Sequence, residues 1–389
     1  MGVKRLTILG STGSVGTQTL DLVMEDPSAY EICALIGGRN VALLAAQARR
    51  FRPEITVISD EALLPALREA LAGAGLEAAA GREAVLEAAG RQADWTMCAI
   101  TGTAGLEPTL AAVRRGGTIA FACKESLVSA GDVFLREVAL AGARLLPVDS
   151  EHNAILQAMA DGNAKAVDKI VLTASGGPFR NHALEDMRSI TREAALRHPV
   201  WSMGAKISID SATMFNKGLE VIEAARLFSL PSDRIEVLVH PQSVIHGMVC
   251  YADGSVLAQL GAPDMRIPIA HALAWPRRLS TQAPRLDLVQ LSCLEFHAPD
   301  ETRFPALRLA REVLAAGAGA PAVLNAANEV AVQAFLEHKI GFLDIAGIVE
   351  TVMQELGAPP IPDLAAVLAV DEAARTVAAT TVLAKAKAA

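Results

Sequence analysis

Asp149, Ser150 and Glu151 set two carboxylates on either side of a hydroxyl, directly after the mostly apolar run 142–148. In an extended segment, residues i and i+2 project the same way, so both carboxylates converge on one point. Like charges at that spacing call for a cation, and oxygen-only ligands select a hard one, Mg²⁺ or Mn²⁺, over zinc. The same letters also spell an acidic helix N-terminus, with Asp149 or Ser150 capping and Glu151 in the first turn. A metal site needs a further ligand, and the candidate lies in SATMFNKGLE, residues 211–220. As a helix, this stretch places Asn216 and Glu220 at i and i+4, with Lys217 beside them. An amide, an ammonium and a carboxylate on one face suit a phosphate and a metal. A solvated Lys/Glu pair on a surface helix is the competing reading.

Three further stretches offer chemistry. TASGGP, residues 173–178, follows a strand pattern and presents the Ser175 hydroxyl and free amides to an anion, or makes an ordinary turn. HPVWSMGAK, residues 198–206, combines His198, Trp201 and the flexible Gly204 in an irregular segment, as a lid over a ligand would. Near the N-terminus, GSTGSVG (residues 10–16) follows the strand LTIL and opens a helix. That is the context in which glycines let the backbone approach a pyrophosphate while the helix N-terminus supplies amides. The spacing is GxxGxxG, not GxGxxG, so the alternative is a plain βα turn. The next strand ends in Gly38-Arg39-Asn40 without an acid for a ribose 2′-hydroxyl. Arg39 suits a 2′-phosphate and so favours NADPH, unless it is simply a solvated surface arginine.

The elements that must position these groups fall into distinct textures. From Val3 to about Val148, short β-rich runs (LTILG, EICALIG, ITVIS, DWTMCAI, TIAFAC, RLLPV) alternate with Ala/Leu-rich helical segments, the pattern of a parallel α/β sheet. From about Ser150 to Trp275 the strands VDKIVLTAS, VLVHPQSVIHGMVCY and GSVLAQLG predict an antiparallel or mixed sheet, with Asp253-Gly254 as a hairpin turn. His240 and His246, six apart, read as packing or interface groups on one strand face. A proline-rich stretch then precedes an Ala-rich helical tail. The expected architecture is a Rossmann-like dinucleotide-binding domain (1–149), an α+β catalytic and dimerisation domain with a mixed sheet (150–276), a linker (277–304) and a C-terminal helical bundle (305–389). At 389 residues the chain exceeds the roughly 250–300 that one core accommodates. Its net charge of −8 offers no basic surface for nucleic acid, its apolar stretches are too short for a bilayer, and no signal-peptide core opens it, which points to the cytoplasm. The five cysteines are scattered, without CxxC spacing, and support neither disulfides nor zinc.

Taken in order, GSTGSVG, CKESLV, PVDSEHNA, TASGGPF, HPVWSMGAKISIDSATMFNKGLE, HPQSVIHGMV, DGSVLAQLGAPDMRIPIAHALAWP and LNAANEVAV resemble the 1-deoxy-D-xylulose 5-phosphate reductoisomerase family. The resemblance implies an NADPH- and divalent-metal-dependent enzyme that isomerises a ketose phosphate and reduces the product to 2-C-methyl-D-erythritol 4-phosphate. It implies Asp149, Glu151 and Glu220 as metal ligands. Ser150 and Lys124 would meet the substrate's oxygens, and Ser175, Ser211, Asn216 and Lys217 its phosphate, while His198 and Trp201 belong to the closing loop. For the cofactor it implies Thr12, Gly13, Ser14 and Val15 at the pyrophosphate, and Gly38, Arg39 and Asn40 around the adenosine phosphate. Glu125 and Gly204 would lie nearer the nicotinamide. The family usually has Asn where this chain has Cys123, so an amide contact to the cofactor is lost or replaced. Two rival readings remain: an aldehyde dehydrogenase using Cys123 as nucleophile, and a non-catalytic NADPH sensor whose DSE and NKGLE residues are surface charge. A homodimer through the central sheet is expected, from the apolar run 237–251.

Overall fold

The computed structural model describes residues 2–159, 163–201 and 203–388. The chain divides into two compact units, each assembled from separated segments. The first comprises Met1–Ser126, Phe134–Asn153 and Asp264–Ala283, and the second Leu127–Val133, Ala154–Pro263 and Pro284–Ala389.

The first unit is built on seven strands: β1 (Lys4–Leu9), β2 (Tyr30–Gly37), β3 (Ile55–Ile58), β4 (Ala78–Ala80), β5 (Trp95–Cys98), β6 (Thr118–Phe121) and β7 (Arg144–Pro147). Their order is β4-β3-β2-β1-β5-β6-β7, and every pairing is parallel. Strands buried on both faces read as continuous apolar runs, and β3 and β5 are buried throughout. All six β-rich runs of this region form strands. The seventh, β4, is three alanines at the sheet edge, a sequence with no strand signature; pairing with β3 overrides its helical propensity. Strand order reverses about β1, and in such sheets the crevice beyond the strands' C-terminal ends at that reversal is where ligands bind. The loop 10–13 sits there.

The second unit holds β8 (Val167–Ala174), β9 (Ile235–Val239), β10 (Ile245–Tyr251) and β11 (Val256–Leu260), in the order β11-β10-β8-β9. The sheet is mixed, since β8 and β9 are parallel whereas β10 runs antiparallel to both β8 and β11. The hairpin falls where expected: Gly254 adopts φ 86°, and Asp253 Oδ1 accepts from the Ser255 amide at 2.9 Å. His240 and His246 do not share a strand, because His240 follows β9 and a turn separates it from β10. His240 Nδ1 lies 2.9 Å from the Glu295 carbonyl, its ring stacks on Phe296, and His246 Nε2 lies 3.2 Å from the Gly261 carbonyl. Both are packing groups. Within the run 237–251, β8 lies between β9 and β10 and most of the two strands is buried. Exposure is concentrated instead on the edge strand β11, where Val256, Leu257 and Leu260 face solvent.

The C-terminal tail forms the helices Ala306–Ala316, Ala320–Leu336, Asp344–Leu356 and Leu364–Ala388. They share one core with the sheet's helices, including Phe215, Leu219, Ile222, Leu309, Val323 and Ile348. Gly218 is needed at the helix crossing, where an added Cβ would lie 2.9 Å from the Ala306 carbonyl. Between sheet and tail, the segment 284–304 carries one short helix, Leu288–Leu291, and bridges β9 through His297.

Candidate active site

The glycine loop is shaped by close backbone approach. Gly10 has φ 86°, and a Cβ there would lie 2.5 Å from the Ala99 carbonyl oxygen; a Cβ on Gly16 would lie 2.3 Å from the Gly10 carbonyl. The helix Ser14–Val23 therefore packs directly on the strand-loop junction. Its N-cap is Gly13, which has no side chain to occupy the first-turn amides. Those amides, at Ser14 and Val15 beside Thr12, are what an anionic pyrophosphate would use. At the end of β2, Gly38 and Arg39 are exposed. Asn40 caps the next helix by accepting from the Leu43 amide at 3.1 Å, so its side chain is already committed. Arg39 reaches Asp60 Oδ2 at only 3.5 Å and its side chain is 83% exposed, leaving the guanidinium available.

Cys123, Lys124 and Glu125 start the helix Lys124–Ala141 and are all buried. The Cys123 sulfur lies 3.0 Å from Ser126 Oγ, and burial followed by the nearby Glu125 carboxylate pushes its thiol well above the ordinary range. A thiol so placed stays protonated at neutral pH and is no activated nucleophile. That removes the feature on which the aldehyde dehydrogenase reading rests.

Residues 149–151 are not extended. The helix Ser150–Ala158 begins at Ser150, with the Asn153 amide donating to the Asp149 carbonyl and Asp149 Oδ1 accepting from the Ser150 amide at 3.1 Å. Convergence by strand alternation therefore does not apply; the two acids meet the same region as an N-terminal residue and a first-turn residue. The helix dipole favours their negative charge there. Lys124 Nζ pairs with Asp149 Oδ2, and Ser150 Oγ donates to Glu151 Oε2 at 2.6 Å. Asn153 Nδ2 donates to the Pro147 carbonyl at 2.8 Å and meets His271 Nδ1 at 3.1 Å, which anchors the helix start to the sheet.

In the second unit, residues 205–227 form two helices, Ala205–Ala212 and Phe215–Leu227, broken at Met214 with φ 64°. Ser211 thus ends one helix, and Asn216, Lys217 and Glu220 open the next. Asn216 Nδ2 donates to Glu220 Oε1 at 2.5 Å, and Lys217 Nζ donates to Oε2. Glu220 is 0% and Lys217 3% exposed, so the solvated surface pair is excluded. A carboxylate held this deep needs all of its compensation from neighbours. One further network escapes inspection of the sequence. The buried Asp210 accepts from Asn328 Nδ2 at 2.9 Å and pairs with Lys206 at 2.5 Å, locking the helix that carries Ser211 to the helix Ala320–Leu336. Only the i, i+4 spacing of Lys206 and Asp210 hinted at it. Glu223, one turn beyond Glu220 and also buried, had no other signal.

Ser175 follows β8. Its Oγ accepts from the Gly177 amide at 3.1 Å and lies 3.0 Å from His198 Nε2. His198 Nδ1 accepts from the amides of Val200 (3.2 Å) and Trp201 (2.8 Å). Two donors on Nδ1 require the neutral tautomer with hydrogen on Nε2, in keeping with the lowering of its pKa by burial. Ser175 Oγ then accepts twice, and its own proton is left to donate to an anion. Gly204 caps the helix Ala205–Ala212 without a side chain, its carbonyl accepting from the Ser208 amide and hydroxyl, both at 3.0 Å.

A doubly wound sheet with a glycine loop, joined in one chain to a unit of buried carboxylate, ammonium and serine groups, defines a nucleotide-dependent oxidoreductase acting on an anionic substrate. The chain matches three family signatures: 1-deoxy-D-xylulose 5-phosphate reductoisomerase over residues 6–131, the C-terminal domain of that enzyme over 145–228, and the DXP reductoisomerase C-terminal domain over 260–377. It is 61% identical over 357 residues, 92% of this chain and 88% of the relative, to the 1-deoxy-D-xylulose 5-phosphate reductoisomerase of Gluconobacter oxydans (strain 621H). Against that of Rhodospirillum centenum (strain ATCC 51521 / SW) it is 59% identical, over 96% and 93% of the two chains. A solved reductoisomerase from Zymomonas mobilis, in complex with NADPH, is 53% identical and superimposes with a TM-score of 0.93, covering 98% of this chain and 99% of that one. A reductoisomerase solved with NADPH, fosmidomycin and magnesium is 43% identical, with a TM-score of 0.93 over 98% of each chain. The chain belongs to the 1-deoxy-D-xylulose 5-phosphate reductoisomerase family.

Proposed function

We infer that the chain converts 1-deoxy-D-xylulose 5-phosphate to 2-C-methyl-D-erythritol 4-phosphate, in the non-mevalonate route to isoprenoids, with NADPH and a divalent metal, Mg²⁺ or Mn²⁺. The observation that carries the reading is the full burial of Glu220 against Asn216 and Lys217, in a chain so similar over 98% of its length to a relative solved with NADPH, fosmidomycin and magnesium.

The residues fit both groups. Gly13 and the first-turn amides of Ser14 and Val15, with Thr12, receive a pyrophosphate. Arg39, with Gly38 and Asn40 at the same strand end, receives the adenosine phosphate. Glu125, Gly204 and the backbone at Cys123 serve the nicotinamide side. Asp149, Glu151 and Glu220 would hold the metal with three carboxylates and no nitrogen or sulfur, the donor set of a hard cation. When bound, the cation supplies Lewis acidity toward the substrate's ketone and adjacent hydroxyl, and NADPH supplies the hydride. Lys124 and Ser150 orient those oxygens. Lys217, Asn216, Ser211 and Ser175 would take the phosphate, with Lys217 and Asn216 also bonded to the Glu220 carboxylate. His198 holds Ser175 and, with Trp201, forms the loop that excludes water.

Residues 1–149 bind the cofactor and contribute Lys124 and Asp149, and 150–276 supply the other metal and substrate groups and form the dimer interface. The connection 277–304 leads to the helices of 305–389, which brace the second domain. The exposed apolar edge at β11 supports the homodimer, since an unpaired strand edge is satisfied by a second copy. Among the described residues no helix is long and apolar enough to cross a membrane; the location proposed is the cytoplasm. The test is NADPH oxidation on addition of 1-deoxy-D-xylulose 5-phosphate, with Mg²⁺ and after chelation. Turnover that survives chelation but is lost on alkylation of Cys123 would overturn the reading.

A further inference from the structure

We propose that the second unit carries a separate binding site for a small organic anion with an apolar body, and that its occupancy tunes affinity for the substrate's phosphate. The site is a cavity of about 430 Å³ floored by Met214, Val239, Phe304 and Leu307, all buried. Its available cation is Arg180, which is half-buried; among the described residues its guanidinium has neither a hydrogen bond nor an ion pair. Of the other charged groups of the wall, Arg303 and Asp300 pair with each other, and Glu295 is held by a neutral amide. Arg303 Nε donates to Asp300 Oδ2 at 2.8 Å, and its Nη1 donates to the carbonyls of Arg180 (2.9 Å) and His182 (2.6 Å). Asp300 Oδ1 also accepts from the Thr302 and Arg303 amides, and Glu295 Oε2 accepts from Gln242 Nε2 at 2.8 Å. An uncompensated guanidinium above an apolar floor matches a phosphate or carboxylate head on a hydrocarbon body. An inorganic ion leaves the floor unfilled, and a neutral alcohol leaves Arg180 unmatched.

The turn 175–180 separates this cavity from the residues proposed to hold substrate phosphate, and its two glycines face opposite ways. A Cβ on Gly176 (φ 80°) would meet Val239 Cγ1 at 2.8 Å and Arg180 Cδ at 3.1 Å. A Cβ on Gly177 (φ 70°) would instead meet the Ser211 carbonyl oxygen at 2.8 Å. One tight turn therefore carries Arg180 at one end and Ser175 at the other, with Ser175 tied to both Gly177 and His198. An anion that reorients Arg180 moves the side chain packed over Gly176, and the turn passes the displacement to Ser175.

Calorimetry on the full chain with hexyl phosphate, against hexan-1-ol and inorganic phosphate, tests the site without relying on the catalytic reading. Hexyl phosphate should bind at least about tenfold more tightly than either comparator. Arg180→Gln should weaken it by about tenfold or more, with Arg180→Lys in between. In initial-rate kinetics hexyl phosphate should change KM for the substrate without being displaced by saturating substrate, and the unliganded kcat of Arg180→Gln should match wild type. Absence of binding, equal binding of the comparators, or strictly competitive inhibition indifferent to Arg180→Gln would overturn the proposal.

Discussion

Replacing Glu220 by Gln removes one charge and keeps the shape of a fully buried side chain. The carboxylate accepts from Asn216 on one oxygen and from Lys217 on the other. The amide of glutamine offers one acceptor and one donor, so one of those two partners is turned away. If Lys217 loses that acceptor, an ammonium only 3% exposed loses the buried carboxylate it is paired with. Breaking such a pair from one side costs about 3–5 kcal/mol, against less than about 1 kcal/mol for an exposed pair. Lys217→Met together with Glu220→Gln should recover much of that loss, because the buried ammonium is gone with its carboxylate. Denaturant unfolding of wild type, both single variants and the double variant gives the coupling energy. On activity, Glu220→Gln should lower turnover by more than about 100-fold and raise the Mg²⁺ requirement, since even partners one shell removed from a metal are worth about 10–100-fold. NADPH affinity, measured separately, should hold. A stability change below about 1 kcal/mol together with a normal rate at the wild-type Mg²⁺ optimum would refute both the burial argument and the metal assignment.

Arg39→Asp should shrink or invert the NADPH preference in kcat/KM by about 10–100-fold, the worth of a charge-assisted contact; an unchanged ratio assigns the arginine to solvent. His271 has its pKa lowered to about 4 by burial and then by Arg278, and its Nδ1 faces the Asn153 amide. The unfolded chain therefore binds the extra proton first. Stability conferred by the neutral ring is whole above pH 6.5 and falls as pH drops toward 4, by about 1–2 kcal/mol after screening by water. His271→Leu should flatten that difference in unfolding free energy across the same window. Iodoacetamide should label the exposed Cys293 and spare the buried, protonated Cys123, leaving NADPH oxidation intact; mass mapping with a rate assay checks it. Light scattering at micromolar concentration should give a dimer mass, and Leu257→Lys on the exposed edge of β11 should shift it toward monomer.

Periodicity and loop chemistry in the sequence spell most of the local elements. Six of the seven strands, the glycine loop ahead of its helix and the Asp253-Gly254 hairpin are local facts, each spelled by residues a few positions apart. The long central motifs were specific enough to identify the family. Only the folded chain could decide how deep the charges lie. The letters of NKGLE fit a solvated helix face as well as a binding site, because burial depends on packing against helices some hundred residues later, Ala306–Ala316 among them. Likewise, the letters of 149–151 fit an extended segment and an acidic helix N-terminus equally well. Their helix starts at Ser150, anchored where Asn153 meets Pro147 and His271, and His271 is remote in sequence. Strand order in the second sheet was equally illegible. Inserting β8 between β9 and β10 is a long-range pairing, and it leaves β11 at the edge with its apolar side chains exposed. Local spacing fixes which groups share a face; the dielectric around them and the partners that complete them are set by residues distant in sequence.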